Sequence, residues 1–521
     1  MQELNITGFD KAGVVTDVNE YLLPPAAFSE AYNVRFSNGS IESAKGYTLY
    51  QPSVIVGAKP WKYSQGIADK MYLLSEEKMH IMSDINVEEV EYIAGFDIEK
   101  ETYINALSNL PVFINDGVPY GLKDDGSGKN IMFKLDGWGN NMKCRSIVSF
   151  KGYLFAFGVQ VDGNRYEDTV FWSDVAAPDT YPKDWGFSLD GDGNVNLGSP
   201  VKGSLGGYNQ LGSIGGSIVS AAVFNDFLYL FTESEIFQVS EIGGTFLFNF
   251  KRVLVGKGAV SPSSVIALEN GLVVIGSNEL YLFNGGSSQS LSNGRIGNYI
   301  SRKVLTGTQI KMVRDFNEKH LYIFFKQTSR RFSRNTSTVY DDALVYDWVS
   351  NTFSFRDSSY CQFQDITEFR ADSLFDAYNK KWSEYETTAW DNFQSAWQSE
   401  LKYGTGLLSC RSDQLLIMNN GNNIVEFDGT SSPVPWSFNR RYYTANLGYP
   451  EDAIARMHAL QFKGSTYTNL RFVINDSISV MKPSRKGYVR ETGKSFKIDI
   501  FGTGYMSLPI ITIVHSLVGV R

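Results

Sequence analysis

Cysteine and histidine are scarce in this chain, and their scarcity excludes several classes of protein. Among 521 residues there are 3 cysteines, Cys144, Cys361 and Cys410, far apart and without CxxC spacing. An odd, sparse set rules out a disulfide framework and points to folding in a reducing cytoplasm. The 4 histidines, His80, His320, His458 and His515, stand alone, with no second His or Cys at ligand spacing, so structural roles are expected and no metal site is assigned. The longest apolar run, near Pro509–Val514, is far short of the ~20 residues of a spanning helix, and residues 1–8 lack a basic and apolar leader. No membrane-spanning segment is expected.

Catalytic signatures are also missing. HExxH, GxSxG and the phosphate-loop pattern do not occur, and Gly126-Ser127-Gly128-Lys129 has the wrong spacing for the last. Asp190, Asp192, Asn194 and Asn196 alternate as in a calcium loop, yet Val195 stands at the sixth position and Val201 at the twelfth, where Gly and Glu belong. A glycine-rich surface turn is the expectation. The sequence therefore assigns no catalytic, cofactor-binding or metal-binding residue, and no cofactor.

What is abundant is glycine and aromatic residues, with 48 Gly, 35 Phe and 29 Tyr. They fall into a recurring phrase: a short apolar strand, a polar turn, then a strand of aromatic and β-branched residues. It occurs at 147–157, 219–231 with 234–239, 265–275 with 278–283, and 310–325, and more loosely at 67–74, 110–114 and 414–418. Such phrases are β-hairpins. Units this small, repeated every few tens of residues, cannot bury their own faces, and the blades of a β-propeller result. Phe155, Phe231, Val274, Leu282, Ile323 and Phe324 are expected to be buried between blades.

Two stretches interrupt the pattern. Residues 159–217 are rich in Gly and Asp and poor in periodicity, which reads as a long inserted loop. In 375–403, Trp382, Trp390 and Trp397 recur every 7–8 residues, and Leu374, Tyr378, Trp382, Tyr385, Ala389, Phe393 and Trp397 fit a helical stripe; a packed helix and tandem aromatic turns both remain open. After Pro433 alternating runs suggest an antiparallel sandwich. The expected fold is all-β: residues 1–60 contribute to a platform domain, 61–430 form a β-propeller with insertions at about 159–217 and 358–408, and 431–521 complete a sandwich-like platform. From 431 to 521 there are 12 Lys+Arg and 5 Asp+Glu, net +7, which leaves −15 for 1–430 out of a total of −8.

The segment 22–46 holds Leu22-Leu23-Pro24-Pro25, then Phe28-Ser29-Glu30-Ala31-Tyr32-Asn33-Val34-Arg35-Phe36, then the turn Asn38-Gly39. By itself Asn38-Gly39 between apolar runs predicts a type I′ hairpin over 34–41. The whole segment resembles the opening of tail tube proteins of short-tailed bacteriophages, also called nozzle or tail stabilisation proteins. Phe28 stands where Trp is frequent, and Asn38 where Asp is. Phe171-Trp172-Ser173-Asp174 with Tyr181-Pro182-Lys183-Asp184-Trp185 resembles a second phrase of that family, and the Trp382–Trp397 segment a third, in the same order.

The resemblance implies a structural virion protein without catalysis, a homo-oligomer (a hexameric ring) located in the virion tail and assembled in the host cytoplasm. Its partners would be the head–tail adaptor and portal complex and tail fibre or needle proteins. Double-stranded DNA would cross the lumen without specific binding. An acidic body suits such a duct, because Lys and Arg contacts to phosphate hold DNA. Loop 159–217, then 375–403, would be the natural gate. The alternative is a carbohydrate-binding or depolymerase propeller of a phage tail, although sialidase-type Asp boxes are missing. WD repeats are missing too, against a general scaffolding propeller.

Overall fold

The computed structural model describes residues 1–44, 46, 48–49, 61–67, 70–83, 86–212, 215–244, 246–305, 309–316, 318–326, 342–357, 363–371, 412–419, 424–426, 434–475, 477–480 and 486–520. The chain is all-β, a β-propeller joined to a β-sandwich. Its hairpins close where two residues tolerate positive φ. Asp116-Gly117, Lys151-Gly152 and Asn225-Asp226 do so at φ 49° and 81°, 50° and 82°, and 47° and 62°, the handedness that suits twisted strands.

Among the described residues these hairpins build seven four-stranded antiparallel units, one of them continuous with a platform sheet. Blade 1 is Trp61–Ile67, Lys70–Ser75, Lys78–Ser83 and Asn86–Glu91. Blade 2 is Thr102–Leu107, Leu110–Asn115, Val118–Asp124 and Asn130–Lys134. Blade 3 is Ser146–Phe150, Tyr153–Phe157, Thr169–Trp172 and Gly207–Gln210. Blade 4 is Ile218–Phe224, Phe227–Thr232, Glu235–Glu241 and Phe248–Val255. Blade 5 is Val265–Leu268, Gly271–Ile275, Leu280–Phe283 and Ser288–Ser290. Blade 6 is Gln309–Asp315, His320–Lys326, Asp342–Asp347 and Thr352–Asp357. Blade 7 is Phe363–Ala371, Ser412–Asn419 and Ile424–Glu426, with Thr48–Leu49 as its outermost strand. The first strand of each blade neighbours the first strand of the next, and blade 7 returns to blade 1, so the circuit is closed.

Each blade is covered on both faces by its neighbours. Central strands such as Tyr153–Phe157 and Gly271–Ile275 are therefore buried at every position, which is why they read as unbroken apolar runs. Phe155, Phe231, Val274, Ile323 and Phe324 are buried, and Leu282 is partly buried.

The platform is woven from both ends of the chain. One sheet orders Gln2–Ile6, Ile510–Val520, Ala453–Lys463 and Lys486–Gly493. The other runs Val34–Ser37, Ser40–Ser43, Ser495–Leu508, Trp436–Tyr443 and Glu30–Tyr32, with Thr466–Ile474 also on Ser495–Leu508. It continues into blade 6 through one parallel contact, Tyr32 beside Phe355. A single core therefore runs from Phe28, Phe438 and Phe472 to Leu280 of blade 5 and Ile323 of blade 6.

Three expectations need correction. Residues 159–217 are not a loop: they carry the third and fourth strands of blade 3 and two small sheets, hidden because the strands are short and separated by Gly- and Asp-rich turns. The N-terminal segment is not wholly platform, since Thr48–Leu49 closes blade 7. Within 358–408, Phe363–Ala371 is a blade strand; the tryptophan segment 375–403 lies outside the described residues.

Candidate functional site: the joint between propeller and platform

The segment 9–44 lies between sandwich and propeller, and its side chains make the joint. Strand Trp436–Tyr443 alternates, turning Trp436, Phe438, Arg440 and Tyr442 inward. An inward Arg is unusual, and its partners explain it. The Arg440 guanidinium, 1% exposed, donates to the carbonyls of Leu23 and Ala27, both at 2.6 Å, and to that of Pro24. Tyr442 donates its hydroxyl to the Pro25 carbonyl at 3.1 Å, and Arg440 lies over its ring at 4.8 Å. Proline fixes φ and removes the N–H, so the Leu-Leu-Pro-Pro stretch presents a rigid row of acceptors. Burial lowers the Arg440 pKa, with Tyr442 and Glu20 opposing; guanidinium stays charged all the same.

Asn33 holds a left-handed backbone at φ 54°, which Asn tolerates better than most residues. Its side chain donates to the Pro435 carbonyl at 2.7 Å and accepts from the Asp357 N–H at 3.1 Å. Its own N–H donates to the Phe355 carbonyl at 2.8 Å, and its carbonyl accepts from Ala44 at 2.9 Å. One buried residue thus ties the N-terminal hairpin to blade 6 and to the C-terminal half. Beside it, Arg35 pairs with Glu42 at 2.9 Å and with Glu318 of blade 6. Asn38 and Gly39 make their hairpin turn at φ 50° and 77°.

Aromatic packing fills the joint: Phe28 meets Phe438 edge-on at 5.1 Å and lies near Phe36 and Phe9 at 5.9 and 5.8 Å. Gly13, at φ 61°, leaves no room for a Cβ, which would come within 2.8 Å of Thr352. The Asp17 carboxylate accepts from the N–H groups of Gly297 and Asn298 at 2.6 and 2.9 Å, reaching the connection between blades 5 and 6.

The phrase 171–185 does similar work between blades 2 and 3. Tyr181 donates to the Pro111 carbonyl at 2.7 Å and accepts from Leu122 N–H at 3.0 Å. Trp185 is fully buried edge-on against Trp138 at 4.7 Å. Asp184 accepts from Gly186 N–H and Ser204 hydroxyl at 2.8 and 2.5 Å. A segment pinned this way cannot swing as a gate without dismantling blade 3.

Two concavities among the described residues bear on function. A cavity of about 330 Å³ is lined by the first strands of blades 1 to 6. Its polar groups bridge neighbouring blades: Ser263 to the Ile310 carbonyl at 2.9 Å, Arg314 to that of Ala267 at 2.7 Å, and Ser220 to that of Pro262 at 2.8 Å. A groove of about 660 Å³ beside Asn33 is lined by Asp357, Trp436, Arg471 and Phe501 among others. Neither lining offers a nucleophile with a base at its side among the described residues.

The sequence-level candidates resolve individually. Asp190 folds its carboxylate over its own turn, its Oδ1 accepting from the N–H groups of Asn194 and Asp192 at 2.8 and 2.9 Å, and these bonds hold its pKa low. Asp125 caps residues 126–129 likewise. Among the described residues no His, Cys, Asp and Glu group could hold a metal ion. Cys144 is buried, and burial raises its pKa, leaving an inert thiol. Arg440 and Tyr442 were not singled out by motif; the available signal was an Arg in the inward register of an alternating strand.

The folded platform also redraws the charge. Residues 1–44 hold 6 Asp+Glu and 2 Lys+Arg, so 1–44 and 431–521 together carry +3, not +7. Arg441–Glu20 at 3.3 Å and Lys463–Glu3 at 2.8 Å join the two segments.

No protein-family model matches the chain, nor does any curated protein. It is similar to a solved streptogramin B lyase at 8% identity and TM-score 0.36, covering 73% of this chain and 97% of that one. It is similar at the same identity and TM-score to BBS1N, solved in complex with ARL6DN and soaked with mercury, covering 74% of this chain and 98% of that one. Likeness this distant speaks to no activity.

Proposed function

We propose that this chain is a tail nozzle subunit of a short-tailed bacteriophage, a structural virion protein whose copies form a hexameric conduit below the portal and adaptor. The conduit retains the genome and then passes it, as double-stranded DNA, without specific binding; fibre or needle proteins attach to the same tail. The observation that supports this most is where the two resembling phrases in the described residues fall. Both are joinery: the described part of the first, 22–44, fastens platform to propeller, and 171–185 fastens blade 3 to blade 2. Asn33 and Tyr181 in these phrases bond to carbonyls and amides of this chain, and the Leu23, Pro24 and Ala27 carbonyls accept from Arg440, as a load-carrying subunit requires and a substrate cleft does not. The function is one of shape, without turnover.

Electron microscopy and mass measurement of the purified chain test this. A closed six-fold ring is expected, and incorporation into tails lacking the native subunit. A chain that remains monomeric, absent from particles, would overturn the reading; measurable glycan hydrolysis lost with one carboxylate pair would replace it with the depolymerase alternative.

A further inference from the structure

We propose that the outward face of the first platform sheet docks on the acidic rim of a neighbouring copy of this chain; the inference rests on the ring-forming reading above. On that face Arg456 and Arg490 are exposed on adjacent strands, beside His458, Thr492 and Ser516. Among the described residues Arg456 donates to the Thr492 hydroxyl at 3.2 Å, and neither it nor Arg490 forms an ion pair; the nearby Lys494 pairs with Asp452. The nearest carboxylate of the N-terminal strand, Glu3, is taken by Lys463 at the far end of the sheet.

A surface of opposite sign lies on the same chain. Residues 76–101 contain 9 Asp+Glu against 2 Lys. Glu76, Glu89, Glu91, Glu99 and Glu101 are exposed where blade 1 meets the connection to blade 2; Lys78 pairs with Glu89 and lies opposite Glu91, and the rim keeps a surplus of carboxylates over its lysines. Lys62 reaches Glu76 at 3.8 Å and also Glu99, which places those carboxylates together. The platform is fused to blades 5 and 6, whereas this rim stands two to three blades further round the ring. Two complementary surfaces on different sides of one molecule are satisfied head to tail between copies, and such contacts close into rings when the rotation permits.

The test is a charge swap on the full chain, read by mass in solution, with melting temperature to confirm folding. Arg456→Glu with Arg490→Glu, and separately Glu76→Arg with Glu91→Arg, are each expected to weaken association by about a hundredfold or more, because like charges then face one another. Combining all four substitutions is expected to restore the ring. If both double variants keep the wild-type mass, this docking is wrong and the ring reading stands. If the wild type is monomeric, both fall. If the four-fold variant stays monomeric, the rim is not the partner. If the wild type retards a DNA duplex and Arg456→Glu with Arg490→Glu abolishes that while the ring persists, the face serves nucleic acid and the proposal is overturned.

Discussion

At the scale of single residues, the joint depends on polar groups in places water does not reach. Arg440 donates to three backbone carbonyls, of which that of Pro24 also accepts from the Ala27 N–H at 3.0 Å. Arg440→Met keeps most of the stem and strands the Leu23 and Ala27 carbonyls, so a loss of about 3–5 kcal/mol is expected. Arg440→Lys recovers only part of it, because one ammonium cannot fork across the row. Asn33 allows a finer discrimination. Asn33→Ala loses the bonds to Pro435 and Asp357 and adds left-handed strain, about 3 kcal/mol together. Asn33→Gly loses the same bonds without the strain and should be about 1 kcal/mol milder. Chemical unfolding of both variants checks this; equal losses would mean that backbone conformation plays no part in the choice of Asn.

At the scale of elements, two segments that look peripheral in the chain are structural keystones. Thr48–Leu49 pairs with Ile424–Glu426, Leu49 opposite Val425, as the last strand of blade 7. Thr48→Pro with Leu49→Pro removes its amide donors, and proline is not tolerated inside a ladder. Protease cleavage should then appear in blade 7 well before the other blades unfold; unchanged cleavage would show that the circuit does not need this strand. Trp185→Ala in blade 3 removes a fully buried ring from Trp138, and about 3–5 kcal/mol should be lost.

These two elements also mark how far the sequence was legible. The blades at 147–157 or 265–283 could be read directly, because contiguous hairpins keep turn and strand signals together. Thr48–Leu49 could not, because two residues carry no periodicity and their partners lie almost the whole chain away. The strands of blade 3 within 159–217 were masked by Gly and Asp turns between them. At the joint, Asn38-Gly39 announced its turn, whereas the pairing of Arg440 with the Leu23–Ala27 carbonyls exists only once both chain ends meet.

For the whole molecule, buried imidazoles set the response to acid. Burial is the first cause of the lowered pKa values of His80, His320 and His515. At His320 the charges of Asp347 and Glu318 oppose that shift, and those of Arg35 and Arg356 add to it. With folded values below the ordinary one, the unfolded chain binds more protons. Stability is therefore complete above about pH 6.5 and falls as pH drops through the histidine range, by at most about 1.4 kcal/mol per pH unit for each such group. Asp116, held low by Lys143 and Lys100, adds its own loss only further down, below the ordinary carboxylate range. His320→Asn should shallow the slope near pH 6, and an unaltered slope would exclude it as a contributor. The shared core makes the last prediction, and it differs from what separable domains imply. If propeller and platform were independent, a chain ending at residue 430 would remain a soluble propeller. Here Trp436, Phe438, Phe472 and Phe496 cover Phe28 and Phe36 in one core with Leu280 and Ile323 of blades 5 and 6. Removing residues 431–521 uncovers that apolar face, a patch that soluble chains rarely expose. The truncated protein should aggregate or bind a hydrophobic dye strongly, and a monodisperse truncation with a wild-type melting temperature would mean that the platform contributes nothing to the propeller's stability.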